Sequence, residues 1–298
     1  MRKIIITIGI LTLIVLANNF CFAEGEVSVI LFSRYAPNNW QIWAKNLDTG
    51  QELQLTDTPV DKRNPQWSAA AKNIFYRTAN SEVYLFGIEK KSEKRILQRF
   101  GAIMDQRCST DGKNVVFSRL RPDLLDDSDI WISDITGEGA RYLTNEAGLQ
   151  YCPVFSGDAK RIAFVSTNAE KGQTLYIMDT EGKNRKELTQ GKFFDVLPQF
   201  SPDDKFIVFS SNRSGNFDIW RIELATQKIR RLTTFSGIDT SPVFSPDGDK
   251  IAFVSLKSGT LQIWSMDKEG KNLVMLTNNE EFPVQDPLWI SIPESVWR

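Results

Sequence analysis

Short runs of alternating hydrophobic and polar residues, separated by turn residues, recur along most of the chain. The segment FSPDGDKIAFVS at 244–255 contains the end of one strand, a Pro-Asp-Gly turn and an alternating second strand. Proline presets φ at the first turn position and glycine accepts a positive φ, so these residues favour a tight turn. The segment FSPDDKFIVFSS at 200–211 repeats this pattern closely. The alternation predicts a series of β-hairpins, and no segment after residue 23 shows a sustained helical period.

Three sets of residues recur with a common period of about 44 residues, which indicates a repeat architecture. An aromatic residue follows an apolar one at Trp43, Tyr84, Trp131, Tyr176, Trp220 and Trp264. A Leu-Thr pair closes the units at 55–56, 143–144, 188–189, 232–233 and 276–277. An aromatic residue or a cysteine precedes serine at Trp67, Cys108, Phe155, Phe200 and Phe244. Because of their strict period, we expect the aromatic residues of the first set to pack between sheets.

Each repeat contains four predicted strands. In the repeat nearest the C terminus, these strands cover residues 242–245, 250–255, 261–267 and 273–277. Four short antiparallel strands in a repeat of this length are typical of one blade of a β-propeller. We therefore predict an all-β fold that is built from four-stranded antiparallel blades.

The two ends of the repeat region supply complementary halves of one blade. Residues 24–34 match a second strand without a first, and residues 286–291 match a first strand without a second. We expect the C-terminal strand to join the N-terminal three and so to close a six-bladed β-propeller without exposed edges. The predicted organisation is a secretory signal peptide at 1–23 and a single propeller at 24–298.

The first 23 residues have the layout of a secretory signal peptide. Arg2 and Lys3 precede an apolar run at 4–17, and Ala23 stands before the predicted cleavage site. The apolar run is shorter than the roughly 20 residues that a membrane-spanning helix needs. We expect an exported protein, periplasmic or secreted, that is not inserted in a membrane after cleavage.

Charge and composition exclude several classes of function. The chain has 36 basic and 37 acidic residues and no basic stripe, so we expect neither nucleic acid nor an anionic membrane as a partner. It has no histidine, which excludes a Ser-His-Asp triad and histidine-based zinc or copper sites. We expect no cofactor, no metal and no enzymatic activity, although catalysis by carboxylates alone remains open.

Two further features invite a chemical interpretation. Cys108 and Cys152 stand three residues out of step on neighbouring repeats, about 10 Å along a strand, so we expect two free, mostly buried thiols rather than a disulfide. The segment DLLDDSD at 123–129 is either a solvated acidic loop or a calcium site, and its spacing is not that of an EF-hand. Trp40 and Trp297 lie outside the repeat frame and are candidates for exposed contacts.

The loops that lead into the first strands should converge at one mouth of the central channel. They carry a set of charged residues that we predict to form the binding site: Asp61, Arg63, Asp105, Arg107, Asp195, Asp239 and Asp286. Such a ring can hold a peptide or a loop of a partner. The alternative is that the aspartates cap turns through hydrogen bonds to the backbone, and both roles can coexist.

The repeat resembles that of a known family. SPDGDKIAFVS, followed by LQIWSMDKEGKN and LT, is similar to the WD40-like repeat of the TolB propeller, and SSNRSGNFDIWRIEL is similar to its second-to-third-strand connection. The likeness covers residues 27–291, but the mixed α/β domain that precedes the propeller in TolB is not expected here.

The resemblance implies a protein-binding face at the channel mouth. The function that follows is an exported, non-catalytic scaffold, monomeric, with an envelope protein such as a peptidoglycan-associated lipoprotein as its partner. The alternative is a carbohydrate-binding or carbohydrate-processing propeller that uses carboxylates at the channel mouth.

Overall fold

The computed structural model describes residues 25–68, 72–88, 90–122, 124–168, 172–279 and 281–297. The predicted signal peptide at 1–23 lies outside the described residues. The described part consists of β-strands and one short helix, α1 (Glu294–Trp297). Within these ranges no helix has the length and apolar character that crossing a membrane requires.

The strands follow one another along the chain in groups of four, with the last strand joining the first three. The first group is β1 (Glu26–Ala36), β2 (Asn39–Asn46), β3 (Glu52–Gln54) and the C-terminal β24 (Val284–Pro293). The second is β4 (Lys62–Ser68), β5 (Asn73–Thr78), β6 (Val83–Gly87) and β7 (Ser92–Ile96). The third is β8 (Ile103–Cys108), β9 (Asn114–Arg121), β10 (Leu124–Asp134) and β11 (Arg141–Tyr142).

The second half of the chain repeats this order. The fourth group is β12 (Gln150–Phe155), β13 (Arg161–Asn168), β14 (Gly172–Asp179) and β15 (Lys186–Glu187). The fifth is β16 (Phe193–Phe200), β17 (Phe206–Ser211), β18 (Asp218–Glu223) and β19 (Ile229–Arg231). The sixth is β20 (Asp239–Phe244), β21 (Lys250–Ser255), β22 (Gln262–Asp267) and β23 (Val274–Met275).

Neighbouring strands within each group pair antiparallel, so the fold is an all-β propeller of antiparallel sheets. In the described chain the groups form four four-stranded sheets and one eight-stranded sheet, which combines the fourth and fifth groups. The two halves of the larger sheet are joined by a short parallel pairing of Gly172 and Gln173 with Phe193 and Phe194. A Cβ atom on Gly172 would lie 2.7 Å from the Phe193 carbonyl oxygen, so glycine is needed at this close approach.

The C-terminal strand pairs with the N-terminal one. β24 runs antiparallel to β1 from Pro293 opposite Glu26 to Val284 opposite Arg34. The side chains tie the same two strands, because Trp289 Nε1 donates a hydrogen bond to Ser28 Oγ at 2.7 Å. Both termini of the described chain are thereby held in one sheet.

Hydrophobic clusters fill the spaces between consecutive groups. One cluster joins the first group to the second through Ile42, Ile74 and Tyr76. Another joins the sixth group to the first through Val254, Phe32 and Trp289. The periodic aromatic residues Trp43, Tyr84, Trp131, Tyr176, Trp220 and Trp264 all pack against these clusters. Their predicted place between sheets is confirmed.

The repeated Leu-Thr pair has a structural explanation. The threonine hydroxyl accepts a hydrogen bond from a backbone N–H of the third strand, for example Leu175 N to Thr189 Oγ1 at 3.0 Å. The same bond recurs in other groups at Thr56, Thr144, Thr233 and Thr277. It fixes the chain directly after the fourth strand against the third strand, where few backbone pairs are available.

The Ser-Pro-Asp-Gly turn at 245–248 is held by a local network of hydrogen bonds. Ser245 Oγ donates to Asp247 Oδ1 and accepts from Lys250 N at 2.9 Å, while Gly248 has a φ of 75°. The hydrogen bond from Ser245 and that from the Asp249 N–H hold the pKa of Asp247 below its usual range. The alanines that replace this turn at 69–71 lie outside the described residues.

Two features differ from the sequence prediction. The acidic segment that we expected to form a loop belongs to β10 from Leu124 onwards: Leu124, Ser128 and Asp129 pair with β9, and the pairing is irregular between Leu124 and Ser128. The innermost strand of the sixth group starts at Asp239 rather than at residue 242. The earlier start places an irregularity inside the strand, and this irregularity shapes the channel.

Candidate functional site

Several innermost strands carry an irregularity directly before a proline. Asn64, Cys152, Leu197, Ser241 and Asp286 each precede a proline and have positive φ values of 59°, 50°, 54°, 54° and 54°. Proline disfavours the right-handed helical conformation in the residue before it, and the strand register shifts at these points. An extra residue on one strand bends it and redirects its side chains. The repeated bulge brings four of these residues, all except Cys152, to the lining of one cavity.

A cavity of about 210 Å³ lies where these bulges meet. We call it the channel cavity. It is lined by residues of the innermost strands together with Arg77 of β5: Arg63, Asn64, Asp105, Arg107, Leu197, Pro198, Gln199, Ser241, Pro242, Val243, Asp286 and Pro287. Its charged side chains are three arginines and two aspartates.

Arg63 and Asp286 form an ion pair across two groups of strands. Arg63 Nε lies 2.8 Å from Asp286 Oδ2, and the Asn64 backbone N–H donates to the same oxygen at 3.1 Å. Burial opposes ionisation of Asp286, but the charge and hydrogen bond of Arg63 outweigh it and lower the pKa of the carboxyl. The Arg63 guanidinium also lies 4.1 Å from the centre of the Trp40 ring, which fixes its position.

The other charged groups of the channel cavity are not ion-paired within the described chain. Arg107 Nη1 donates hydrogen bonds to two uncharged oxygen atoms, Asn64 Oδ1 at 2.8 Å and the Gln106 carbonyl oxygen at 2.9 Å. Asp105 Oδ2 accepts from the Cys152 N–H at 3.1 Å and from a serine hydroxyl. Arg77 Nε is buried and has no hydrogen-bond partner there.

The structure brings four of the seven predicted site residues together at the channel cavity. These are Arg63, Asp105, Arg107 and Asp286. Asp61 lies outside the cavity lining and accepts hydrogen bonds from Trp40 N at 2.9 Å and Asn39 Nδ2 at 3.2 Å.

Asp195 and Asp239 do not line the channel cavity. Asp195 is buried and pairs with Arg213 Nη2 at 2.7 Å. Asp239 is fully buried, and burial raises the pKa of its carboxyl. Both stand two residues before a bulge. Lys62 and Gln150 occupy the same position in other groups and are buried as well.

Arg77 is a cavity residue that the sequence analysis missed. The predicted site residues lie in the loops that lead into the first strands, whereas Arg77 lies near the end of a second strand. Its backbone is directly opposite Arg63. Antiparallel pairing puts the end of the second strand of a hairpin beside the start of the first. Charged residues at the ends of the second strands are therefore also candidates for the channel mouth.

Exposed hydrophobic side chains of the first, second, fifth and sixth groups lie at strand ends near the channel cavity. They lie where first strands begin or second strands end, and we call them the apolar rim: Tyr35, Val60, Phe194, Ile238 and Leu256. The Leu256 N–H donates to the Ile238 carbonyl at 3.0 Å, and the Tyr35 ring packs edge-on against Trp40. Trp40 connects the rim to the channel cavity, because its ring contacts both Tyr35 and Arg63.

The remaining chemical candidates have local partners. The described aspartates of the acidic segment include Asp127 and Asp129, which are buried and pair with Arg121 at 3.3 and 2.8 Å, while Asp123 lies outside the described residues. Among the residues with described positions, no three His, Cys, Asp or Glu side chains are grouped to hold a metal. Trp297 Nε1 donates to Gln51 Oε1 at 3.1 Å.

Cys108 and Cys152 are free thiols, as predicted, and each is partly buried. Burial raises the pKa of both thiols, and the Asp105 carboxylate adds to this effect at Cys152. Both cysteines are therefore protonated and unreactive at neutral pH.

Proteins that are similar to this chain in sequence differ from one another in the function that their names state. An uncharacterized protein of Agrobacterium fabrum is 27% identical over 63% of this chain and 64% of its own length. Dipeptidyl-peptidase 5 of Porphyromonas gingivalis is 29% identical over 72% of this chain and 33% of its own length. The Tol-Pal system protein TolB of Rickettsia bellii is 35% identical over 36% of this chain and 24% of its own length. The matches thus span less than two thirds of each of these relatives.

Solved structures share the fold. A putative TolB from Agrobacterium tumefaciens superposes with a TM-score of 0.72 at 23% identity, over 85% of this chain and 89% of that one. TolB from Acinetobacter baumannii gives a TM-score of 0.75 at 22% identity, over 89% of this chain and 66% of that one. The family model described as the TolB beta propeller domain matches residues 126–290, more than half of the chain. The chain therefore belongs to the TolB β-propeller family.

Proposed function

We propose that this protein is an exported, non-catalytic scaffold that binds a protein of the cell envelope at the face formed by the apolar rim and the channel cavity. The observation that carries the proposal is the arrangement of exposed apolar side chains around a charged centre. Exposed apolar groups next to polar ones are typical of protein-interaction sites. The rim side chains Phe194 and Ile238 are 45% and 46% exposed, which is unusual for residues of their type.

The scaffold is a single six-bladed ring at residues 24–298, closed by the C-terminal strand, after a signal peptide at 1–23. The pairing of β24 with β1 supports closure. The hydrophobic cluster between the sixth and first groups supports it independently, because only adjacent blades share a core.

The partner is an envelope protein, and a peptidoglycan-associated lipoprotein is our first candidate. Membership of the TolB propeller family and the resemblance to Tol-Pal system proteins support this choice. The protein acts as a monomer in the periplasm, and neither nucleic acid nor a membrane is its partner.

Two observations favour binding without catalysis. The sequence contains no histidine, so the usual general base is missing. In the channel cavity, the carboxylate of Asp286 is held in an ion pair with Arg63, which lowers its pKa and makes it a poor proton acceptor.

The test is crosslinking in the native host with the full chain as bait, followed by mass spectrometry. The double variant Phe194→Ser/Ile238→Ser removes two apolar groups from the rim. Its control, Tyr142→Ser/Val274→Ser, removes two somewhat more exposed apolar groups from outer edge strands.

We expect the wild type and the control to capture the same envelope protein and the rim variant to lose it. Equal capture by both variants would contradict the proposed face. A shift in melting temperature with cell-wall or plant glycans, without any captured protein, would favour a carbohydrate-binding propeller instead.

A further inference from the structure

We propose that the channel cavity binds a single carboxylate that the protein partner inserts, with Arg77 as its main anchor. This inference rests on the proposed function and specifies the chemistry of the partner. It is carried by the unbalanced charge of the channel cavity, by the fixed positions of Arg63 and Arg107 beside an unpartnered Arg77, and by the size of the cavity.

The channel cavity has one more positive than negative side chain. Arg63 is neutralised by Asp286, but among the described residues neither Arg77 nor Arg107 is ion-paired with a carboxylate. Arginine remains charged in proteins, so these guanidinium groups cannot relieve the imbalance by losing a proton. An anion is the ligand that such a cavity favours, and a carboxylate can bind a guanidinium through two parallel hydrogen bonds.

Two of the three arginines, Arg63 and Arg107, are held in place before any ligand binds. Arg63 is fixed by its ion pair and by the Trp40 ring, and Arg107 by its hydrogen bond to Asn64 Oδ1. Arg77 lies directly opposite Arg63 on the paired strand, and its Nε is buried without a partner in the described chain. A site that is already ordered loses less entropy on binding.

The size of the channel cavity selects the source of the carboxylate. Its 210 Å³ is below the roughly 300–1,000 Å³ of pockets that enclose whole small ligands. One acidic side chain fits this volume, whereas an acidic oligosaccharide would extend out of it over the apolar rim. The rim offers little hydrogen bonding for sugar hydroxyls but suits apolar side chains that flank an acidic residue in a protein.

The first arm of the test uses capped dipeptide-like probes with the full chain. N-acetyl-aspartyl-N-methylamide carries the carboxylate, and its asparagine counterpart has the same shape without the charge. We expect the aspartyl probe to bind about tenfold more tightly by NMR titration, with affinity falling between about 50 and 500 mM NaCl. Equal affinity for the two probes would overturn the proposal.

Variants locate the site. Arg77→Gln should weaken binding of the aspartyl probe about tenfold. Arg230→Gln is the control, because it removes the same charge from an outer strand where the side chain is 52% exposed and pairs with Glu269. The control should leave binding unchanged. If Arg77→Gln fails to fold, as judged by circular dichroism, Arg107→Gln takes its place in the same comparison.

The second arm identifies the source of the carboxylate and separates this proposal from the previous one. If digalacturonate or inorganic phosphate binds more tightly than the aspartyl probe, the proposal that the carboxylate belongs to a protein is wrong. In the crosslinking experiment, Arg77→Gln should lose the captured partner. Capture that survives Arg77→Gln but fails in Phe194→Ser/Ile238→Ser would overturn the carboxylate site and leave the docking face standing.

Discussion

At the scale of single residues, distance from the bulge decides what a charged side chain does. Asp286 occupies a bulge and lines the channel cavity, whereas Asp195 and Asp239 stand two residues earlier and are buried within the sheets. All three were predicted from the sequence as charged residues of the loops that lead into the first strands. The bulge interrupts the alternation of side chains along the strand, however. The face of the sheet on which each side chain lies therefore depends on the backbone geometry and does not follow from its position in the sequence.

Asp239 should make the protein less stable as the pH rises. Burial raises the pKa of its carboxyl. The neighbouring Asp218 raises this pKa further, whereas hydrogen bonds from the hydroxyls of Ser255 and Thr233 lower it without cancelling the shift. Above its unfolded pKa of about 3.9, the folded state holds the proton more tightly than the unfolded state, so the free energy of unfolding falls with increasing pH.

The variant Asp239→Asn removes this dependence. The difference in unfolding free energy between Asp239→Asn and the wild type should therefore increase from about pH 4 to about pH 7. Urea unfolding at both pH values measures it. A difference that shrinks over this interval would show that Asp239 is stabilised as a carboxylate.

At the scale of the strands, most of the architecture could be predicted from the sequence because each marker has a local cause. The Leu-Thr pair closes a hydrogen bond onto the third strand, and the Ser-Pro-Asp-Gly segment builds a turn. These contacts span few residues and recur in most repeats, so the pattern is visible in one sequence. Arg77 was missed because its role depends on cross-strand register, which no local pattern records.

The threonine of the Leu-Thr pair should contribute measurably to stability. Thr189 is buried, and Thr189→Val keeps its shape but leaves the Leu175 N–H without an acceptor. We expect a loss of about 1–3 kcal/mol in unfolding free energy, the usual cost of an unsatisfied buried group. Urea unfolding measures it, with the exposed Thr226→Val as a control that should change stability by less than about 0.5 kcal/mol. Equal losses in the two variants would refute the assigned bond.

At the scale of the whole molecule, closure of the ring can be tested with an engineered disulfide. Ser28 and Ser291 are directly opposite each other in the β1–β24 pair. The double variant Ser28→Cys/Ser291→Cys should form a bridge on oxidation, because paired strand residues lie within the Cα separation that a disulfide needs.

The oxidised form should melt at a higher temperature than its reduced form, since the bridge restricts the unfolded chain over nearly its whole length. Differential scanning calorimetry of both forms measures the shift, and the single variant Ser28→Cys controls for the loss of the serine. Failure of the two cysteines to crosslink would contradict the closed ring.

The pairing of the last strand with the first also sets the order of folding. Trp289 and Ser28 are 261 positions apart in the chain and yet share a hydrogen bond. Until residues 284–293 have been synthesised, one edge of β1 has no neighbour and the first sheet is incomplete. Contacts between such distant positions slow folding, and an unpaired strand edge can associate with other chains. The edge of β1 that pairs with β24 therefore stays exposed in a nascent chain until residues 284–293 have been synthesised.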